Sequence, residues 1–75
     1  MNLTQIEPGE TVIVEEIPKE NAVMQRLRDL GLAEGMAIAC VGRSPLGDPS
    51  AYLILGSVFA LRREDCRGIL VRGCR

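Results

Sequence analysis

Residues 51–62 read AYLILGSVFALR, two apolar runs separated by Gly56 and Ser57. A Gly-Ser pair favours a type II′ turn, because glycine readily adopts the positive φ angle of the first central position. The stretch therefore predicts a β-hairpin with strands at Ala51–Leu55 and Val58–Arg62. This turn predicts four cross-strand pairs, two on each face: Leu55–Val58 and Leu53–Ala60 on one, Ile54–Phe59 and Tyr52–Leu61 on the other.

Three further strands are predicted outside the hairpin from runs of apolar residues bounded by turn residues. They span Thr11–Ile17, Met36–Arg43 and Ile69–Arg72. The segment Ser44–Pro49 cannot continue the second of these strands, because its two prolines and one glycine favour a turn-rich loop. A single helical turn with a polar cap is expected at Asn2–Ile6.

One longer helix is predicted over Glu20–Leu30, where apolar residues recur at the helical spacing i, i+4 and i+7 from Val23. The end of this helix carries a specific signal. Gly31 suits the left-handed C′ position, and Leu32 can then fold back on Leu27, as in a Schellman motif.

Five short strands and one helix in 75 residues predict a mainly β fold. A small antiparallel barrel of about five strands fits best, with the helix between the first two strands, because a small sheet must curl to bury its apolar face and protect its edges. The length predicts a single domain over residues 1–75 and leaves little room for a cofactor-enclosing cleft.

The composition argues against several functions. Histidine and Trp are absent, the aromatic residues are one Tyr and one Phe, and the net charge is −1. These values remove the commonest general base, the stacking platforms of single-strand binders and the basic surface that nucleic acids need. They also leave no aromatic groove for a polyproline ligand. The protein is therefore expected not to be an enzyme and not to bind nucleic acid.

The three cysteines, Cys40, Cys66 and Cys74, include no CxxC pair, and no histidine could complete a tetrahedral metal site. We predict no intrinsic metal site and no cofactor. Cys40 lies in an apolar run and is expected to be a small buried residue. No signal peptide or membrane-spanning run is recognisable, which predicts a cytoplasmic protein without direct membrane insertion.

The order of several short motifs resembles the ferrous-iron transport protein A (FeoA) family. The motifs are LGL at 30–32, Gly35, SPLGDP at 44–49, Gly56 and ALR at 60–62. The resemblance spans nearly the whole chain. It implies an SH3-like barrel and a small cytosolic accessory of bacterial ferrous-iron uptake, acting with the membrane transporter FeoB and its cytosolic GTP-binding domain. Similar domains occur at the C-terminus of metal-responsive repressors, so a free-standing SH3-like interaction module is the alternative.

The SPLGDP loop and the ALR segment supply the candidate partner-binding residues Leu46, Gly47, Asp48 and Arg62. A rigid loop with Leu46 at its tip would present a pre-ordered contact at small entropic cost. The structural alternative is a stiff connector in which Gly47 supplies a positive φ and Asp48 caps a turn. For Arg62 the alternative is a solvated strand end.

The strand positions expected to face outward are nearly all apolar: Ile13, Ala37, Ala39, Val41, Leu53, Leu55, Val58 and Leu70. A contiguous apolar surface of this kind marks an interface. Five of these residues form a candidate interface for a homo-oligomer or a larger partner: Ala37, Ala39, Leu53, Leu55 and Val58. The alternative is that the N-terminal segment or the helix covers this surface.

Overall fold

The computed structural model of the protein describes residues 1–19 and 21–74. It contains five strands: β1 (Thr11–Glu16), β2 (Ala37–Arg43), β3 (Ser50–Ile54), β4 (Ser57–Leu61) and β5 (Leu70–Gly73). Two α-helices accompany them, α1 (Ala22–Asp29) and α2 (Arg63–Cys66), together with an N-terminal 3₁₀ turn at Leu3–Gln5. The strands form one antiparallel sheet in the order β4-β3-β2-β1-β5.

The sheet is open, with β4 and β5 at its two edges, so closure into a barrel is not confirmed. An isolated bridge between Asn2 and Leu70 lies beyond β5. The mainly β class and the helix between β1 and β2 are confirmed. The second short helix, α2, occupies a charged segment in which no helix is predicted from the sequence.

Helix α1 ends as its sequence predicts but begins at Ala22, later than predicted. Asn21 caps the N-terminus through its side-chain oxygen, and the predicted first residue, Glu20, lies outside the described residues. At the C-terminus the Leu32 N–H donates to the Leu27 carbonyl at 2.9 Å, and Gly31 has φ +120°. This 6→1 hydrogen bond is that of a Schellman motif. The predicted helix stop is therefore confirmed.

The β3–β4 hairpin turns at Leu55-Gly56, so the predicted turn at Gly56-Ser57 is wrong. Leu55 and Gly56 have φ +55° and +78°, the pattern of a type I′ turn, whose twist matches that of the paired strands. The predicted pairs Leu55–Val58, Leu53–Ala60, Ile54–Phe59 and Tyr52–Leu61 are replaced by Ile54–Ser57, Leu53–Val58, Tyr52–Phe59, Ala51–Ala60 and Ser50–Leu61. The register moves by two residues, which leaves the side chains within β3 and β4 on their predicted faces.

The core lies between the inner face of the sheet, α1 and the N-terminal segment. Strand alternation supplies its centre: Val12, Val14, Ile38, Cys40, Tyr52, Ile54 and Val71 are all buried. Met24 and Leu27 of α1 and Leu3 and Ile6 of the N-terminal segment cover them. Neither described helix has the length and hydrophobicity needed to cross a membrane.

Candidate functional site

The loop between β2 and β3 holds the most exposed apolar side chain of the described residues. Leu46 at its tip is 95% exposed. Two hydrogen bonds close the loop beneath it: the Gly47 N–H donates to the Ser44 carbonyl at 2.8 Å, and the Ser44 N–H donates to the Pro49 carbonyl at 3.1 Å. Gly47 has φ +86°, which confirms the predicted positive φ. Leu46 is thus presented by a closed turn.

Asp48 connects this loop to the start of α2. Its Oδ1 accepts the backbone N–H of Arg63 at 2.9 Å. Asp65 Oδ2 accepts the N–H of Arg62 at 3.3 Å, so the first turn of α2 is held from both sides. Asp48 therefore caps a helix fifteen residues away, rather than a turn within its own loop as predicted. This bond places Asp48 against the backbone of Arg63, whose chain neighbour Arg62 is exposed.

The other end of the loop is anchored by Arg43, the last residue of β2. Its guanidinium donates to Ser50 Oγ at 3.1 Å, to the Ile6 carbonyl at 2.8 Å and to Glu7 at 3.2 Å. A planar guanidinium is suited to such simultaneous contacts. Together, Arg43 and Asp48 fix both ends of the loop, which keeps the position of Leu46 defined.

The outer face of the sheet brings most of the predicted interface residues together. Ala39 of β2 pairs with Leu53 of β3, which pairs with Val58 of β4, so these three side chains form one row. Ala37 lies one step along β2 on the same face. Leu53 and Val58 are 41% and 62% exposed. The described residues leave this row uncovered, and its use as an interface stays a prediction.

Leu55 departs from that row because it lies in the hairpin turn. A Cβ atom placed on Gly31 would lie 4.0 Å from both methyl carbons of Leu55, so the Leu55 side chain approaches the end of α1. Leu55 is 38% exposed. It marks the boundary between the outer face and the helix.

An apolar groove between α1 and β4 was missed from the sequence. It has a volume of about 310 Å³. Val23, Leu27 and Leu30 line it on the helix side, and Phe59 and Leu61 line it on the strand side. The helical spacing of Val23, Leu27 and Leu30 indicated that these residues pack in the core. In the structure, α1 and β4 leave a groove between them, so part of this apolar face stays open.

Two buried side chains, Tyr52 and Cys66, have raised pKa values. Burial, together with the neighbouring Cys66, raises the pKa of Tyr52 to about 12. Burial also raises the pKa of Cys66 to about 11, against the opposing effect of its hydrogen bond with Tyr52. A thiol with such a pKa stays protonated near neutral pH and is a poor nucleophile. Cys40 is buried as predicted, and Cys74 is exposed.

Metal ligands are not gathered at any point of residues 1–19 and 21–74. No three His, Cys, Asp or Glu side chains in that part of the chain lie close enough to hold an ion. The absence of an intrinsic metal site therefore stays a prediction.

Solved structures similar to this chain are FeoA proteins. The Chlorobium tepidum FeoA protein is 33% identical over 100% of this chain and 71% of its own, with a TM-score of 0.88. A FeoA-like protein from Clostridium acetobutylicum is 31% identical over 100% and 87%, with a TM-score of 0.86. Stenotrophomonas maltophilia FeoA, solved with zinc, is 26% identical over 96% and 89%, with a TM-score of 0.80. Among curated proteins, none matches this chain.

The S. maltophilia relative is described as a procaryotic SH3 domain protein and as a proposed activating factor of bacterial ferrous iron transport. The open five-stranded sheet with its helix between β1 and β2 makes the present protein a small SH3-like β domain of the same class. The FeoA domain family matches residues 1–73. The chain belongs to the FeoA family.

Proposed function

We propose that this protein is a small cytoplasmic accessory of bacterial ferrous-iron uptake that binds the membrane transporter FeoB at its cytosolic GTP-binding domain. Membership of the FeoA family and the ferrous-iron role proposed for the S. maltophilia relative support this assignment. In this proposal the protein acts by contact rather than by catalysis, which agrees with the raised pKa values of the buried Tyr52 and Cys66.

The observation that carries this proposal is the presentation of Leu46. The Leu46 side chain is 95% exposed, and a loop fixed at both ends holds it outward. A contact residue on a pre-ordered loop loses little conformational entropy on binding. The loop is therefore suited to insert Leu46 into an apolar pocket of a partner.

Arg62 complements this contact. It is exposed next to Arg63, the residue whose backbone Asp48 binds, and no acidic side chain of the described residues forms an ion pair with it. A guanidinium beside an apolar anchor suits a partner surface that carries a carboxylate at the rim of its pocket. The partner is thus expected to offer an apolar pocket flanked by acidic residues.

The proposal is tested by isothermal titration of the purified GTP-binding domain of FeoB with this protein. We expect saturable binding that Leu46→Asp weakens at least about tenfold, since a carboxylate would be buried in an apolar pocket. Leu30→Asp is the matched control, because Leu30 is 57% exposed in the groove beside β4. It is expected to bind like the unmodified protein.

The same samples separate two modes of action. If the protein regulates the transporter, the rate of GTP hydrolysis changes with the fraction of domain bound; if it only scaffolds the transporter, the rate stays constant. Absence of binding by the unmodified protein contradicts the proposal. Equal weakening by Leu46→Asp and Leu30→Asp contradicts the assignment of the loop.

A further inference from the structure

The two edges of the sheet are finished differently. Along β5, the Leu3 N–H donates to the Ile69 carbonyl at 3.0 Å and the Val71 N–H donates to the Met1 carbonyl at 2.7 Å. The N-terminal segment therefore occupies that edge. Along β4, no backbone hydrogen bond is made on the side away from β3 by any residue of 1–19 or 21–74.

The hairpin register identifies the free backbone groups on β4. A two-residue turn closes on a hydrogen-bonded pair, here Ile54–Ser57, and such pairs alternate along an antiparallel ladder. Phe59 therefore bonds to β3, whereas Val58 and Ala60 direct their N–H and C=O groups to the open side. These four groups need a partner other than this hairpin.

Strand β4 also lacks the features that usually protect an edge. Residues Ser57–Leu61 include no charged residue, proline or glycine, and the pairing with β3 has no bulge. On the outer side Val58 is 62% exposed. On the inner side the groove of about 310 Å³ opens next to Phe59. An added strand would find backbone partners and apolar space together.

We propose that β4 is the surface through which two copies of this chain pair, antiparallel and related by a two-fold axis at Phe59. In this register Val58 of each copy lies opposite Ala60 of the other, and all four free backbone groups of each strand are satisfied. This arrangement is isologous, so it closes after two chains. It does not depend on binding to FeoB.

The second copy fits this edge better than solvent for two reasons. The Phe59 side chains of the two copies meet at a non-hydrogen-bonded pair, where cross-strand side chains approach most closely, and both lie beside the apolar grooves. Because β4 carries no charge, identical strands meet without repulsion. The outer row that ends at Val58 then continues into the row of the second copy.

Sedimentation equilibrium from about 1 µM to about 1 mM tests the pairing. The apparent mass is expected to rise from 8.2 kDa towards twice that value. Ala60→Pro removes one outward N–H per copy, and so two of the four interchain hydrogen bonds, at an edge position where proline is tolerated. We expect it to weaken the dimer at least about tenfold.

Two lysine variants separate edge pairing from stacking of the outer faces. Val58→Lys places like charges near each other across the β4 edges and is expected to weaken the dimer. Leu53→Lys is the matched control, because Leu53 lies on the same outer face but on the internal strand β3. It is expected to leave the dimer intact. Circular dichroism verifies that each variant is folded.

An isotope-filtered NOE between the Phe59 Hα atoms of a labelled and an unlabelled copy is expected at high concentration. Three results would overturn the proposal. They are a monomer over the whole concentration range, a folded Ala60→Pro variant that dimerises like the unmodified protein, and a Leu53→Lys variant that is weakened as much as Val58→Lys. The last result would assign dimerisation to the outer face.

Discussion

Leu53 and Ile54 are neighbours on β3, yet Ile54 is fully buried on the inner face of the sheet whereas Leu53 is 41% exposed on the outer face. Both residues are large and apolar. The inner face is covered by α1 and the N-terminal segment, and in the described parts of the chain no element lies over the outer row. The two faces therefore differ in what covers them rather than in their hydrophobicity.

The largest expected effect compares these two neighbours directly. Ile54→Ala removes a fully buried side chain and is expected to lower the free energy of unfolding by about 2–5 kcal/mol, since it loses transfer free energy and leaves a cavity. Leu53→Ala is the matched control, with an expected cost below about 1 kcal/mol. Urea unfolding of dilute samples measures both. Equal losses would contradict the difference between the faces.

The second effect concerns the polar atoms of the inner face. Burial raises the pKa of Cys66 from 9.0 to about 11 and that of Tyr52 from 10.0 to about 12, so the folded state holds these protons more tightly than the unfolded state. The contribution of these two groups to the free energy of unfolding is therefore fully present below pH 9. It is lost as the pH rises through about 12. Urea midpoints across this range should fall.

Tyr52→Phe is the control for this alkaline loss. Phenylalanine keeps the ring in the core but has no hydroxyl to ionise, so the part of the loss between pH 10 and about 12 should shrink. The part that begins at pH 9 belongs to Cys66 and should remain, because burial, the main cause of its raised pKa, is unchanged. A Tyr52→Phe variant with the unmodified pH profile would contradict the role given to the tyrosine.

The third effect tests the helix that covers the inner face. Gly31→Ala places a Cβ at φ +120° and weakens the Schellman motif that ends α1, with an expected cost of about 1–2 kcal/mol. Gly42 pairs with Ala51, and a Cβ there meets no atom within 4 Å. Gly42→Ala should therefore change stability by less than about 0.5 kcal/mol. Thermal unfolding of both variants compares them.

The elements that the sequence predicted correctly are those specified by nearby residues. The stop of α1 depends on Gly31 and Leu32, which are adjacent to the helix, and the inward alternation of Val12 and Val14 is a property of one strand. The mainly β class follows from such local patterns. The loop with Leu46 was also found locally, because prolines and a glycine punctuate it.

The features that were missed depend on contacts between distant residues. Helix α2 is capped by Asp48, which lies fifteen positions before Arg63. The groove lies between α1 and β4, and the spacing of these two elements cannot be predicted from the sequence of either one. Closure of the sheet likewise depends on whether β4 and β5 meet, and the N-terminal segment takes the β5 edge instead.

The smallest expected effect lies at Leu55, where the outer face meets the end of α1. The turn requires a positive φ at Leu55, a conformation that is unfavourable for leucine. The sequence therefore predicted the turn one residue later, at Gly56-Ser57. Leu55→Asn gives Asn-Gly, the preferred pair of a type I′ turn. It should relieve much of the strain of roughly 1–2 kcal/mol that a left-handed leucine carries.

The same substitution removes the approach of the Leu55 methyl groups to Gly31, which opposes that gain. We expect a net increase in the free energy of unfolding below about 1 kcal/mol, measured by urea unfolding. Leu55→Gly is the control, since it relieves the strain and loses the contact but adds no turn preference from asparagine. If both variants are destabilised, the contact with Gly31 contributes more to stability than the backbone strain costs. Leu55 then stabilises the fold by packing against the end of α1, as a buried residue does.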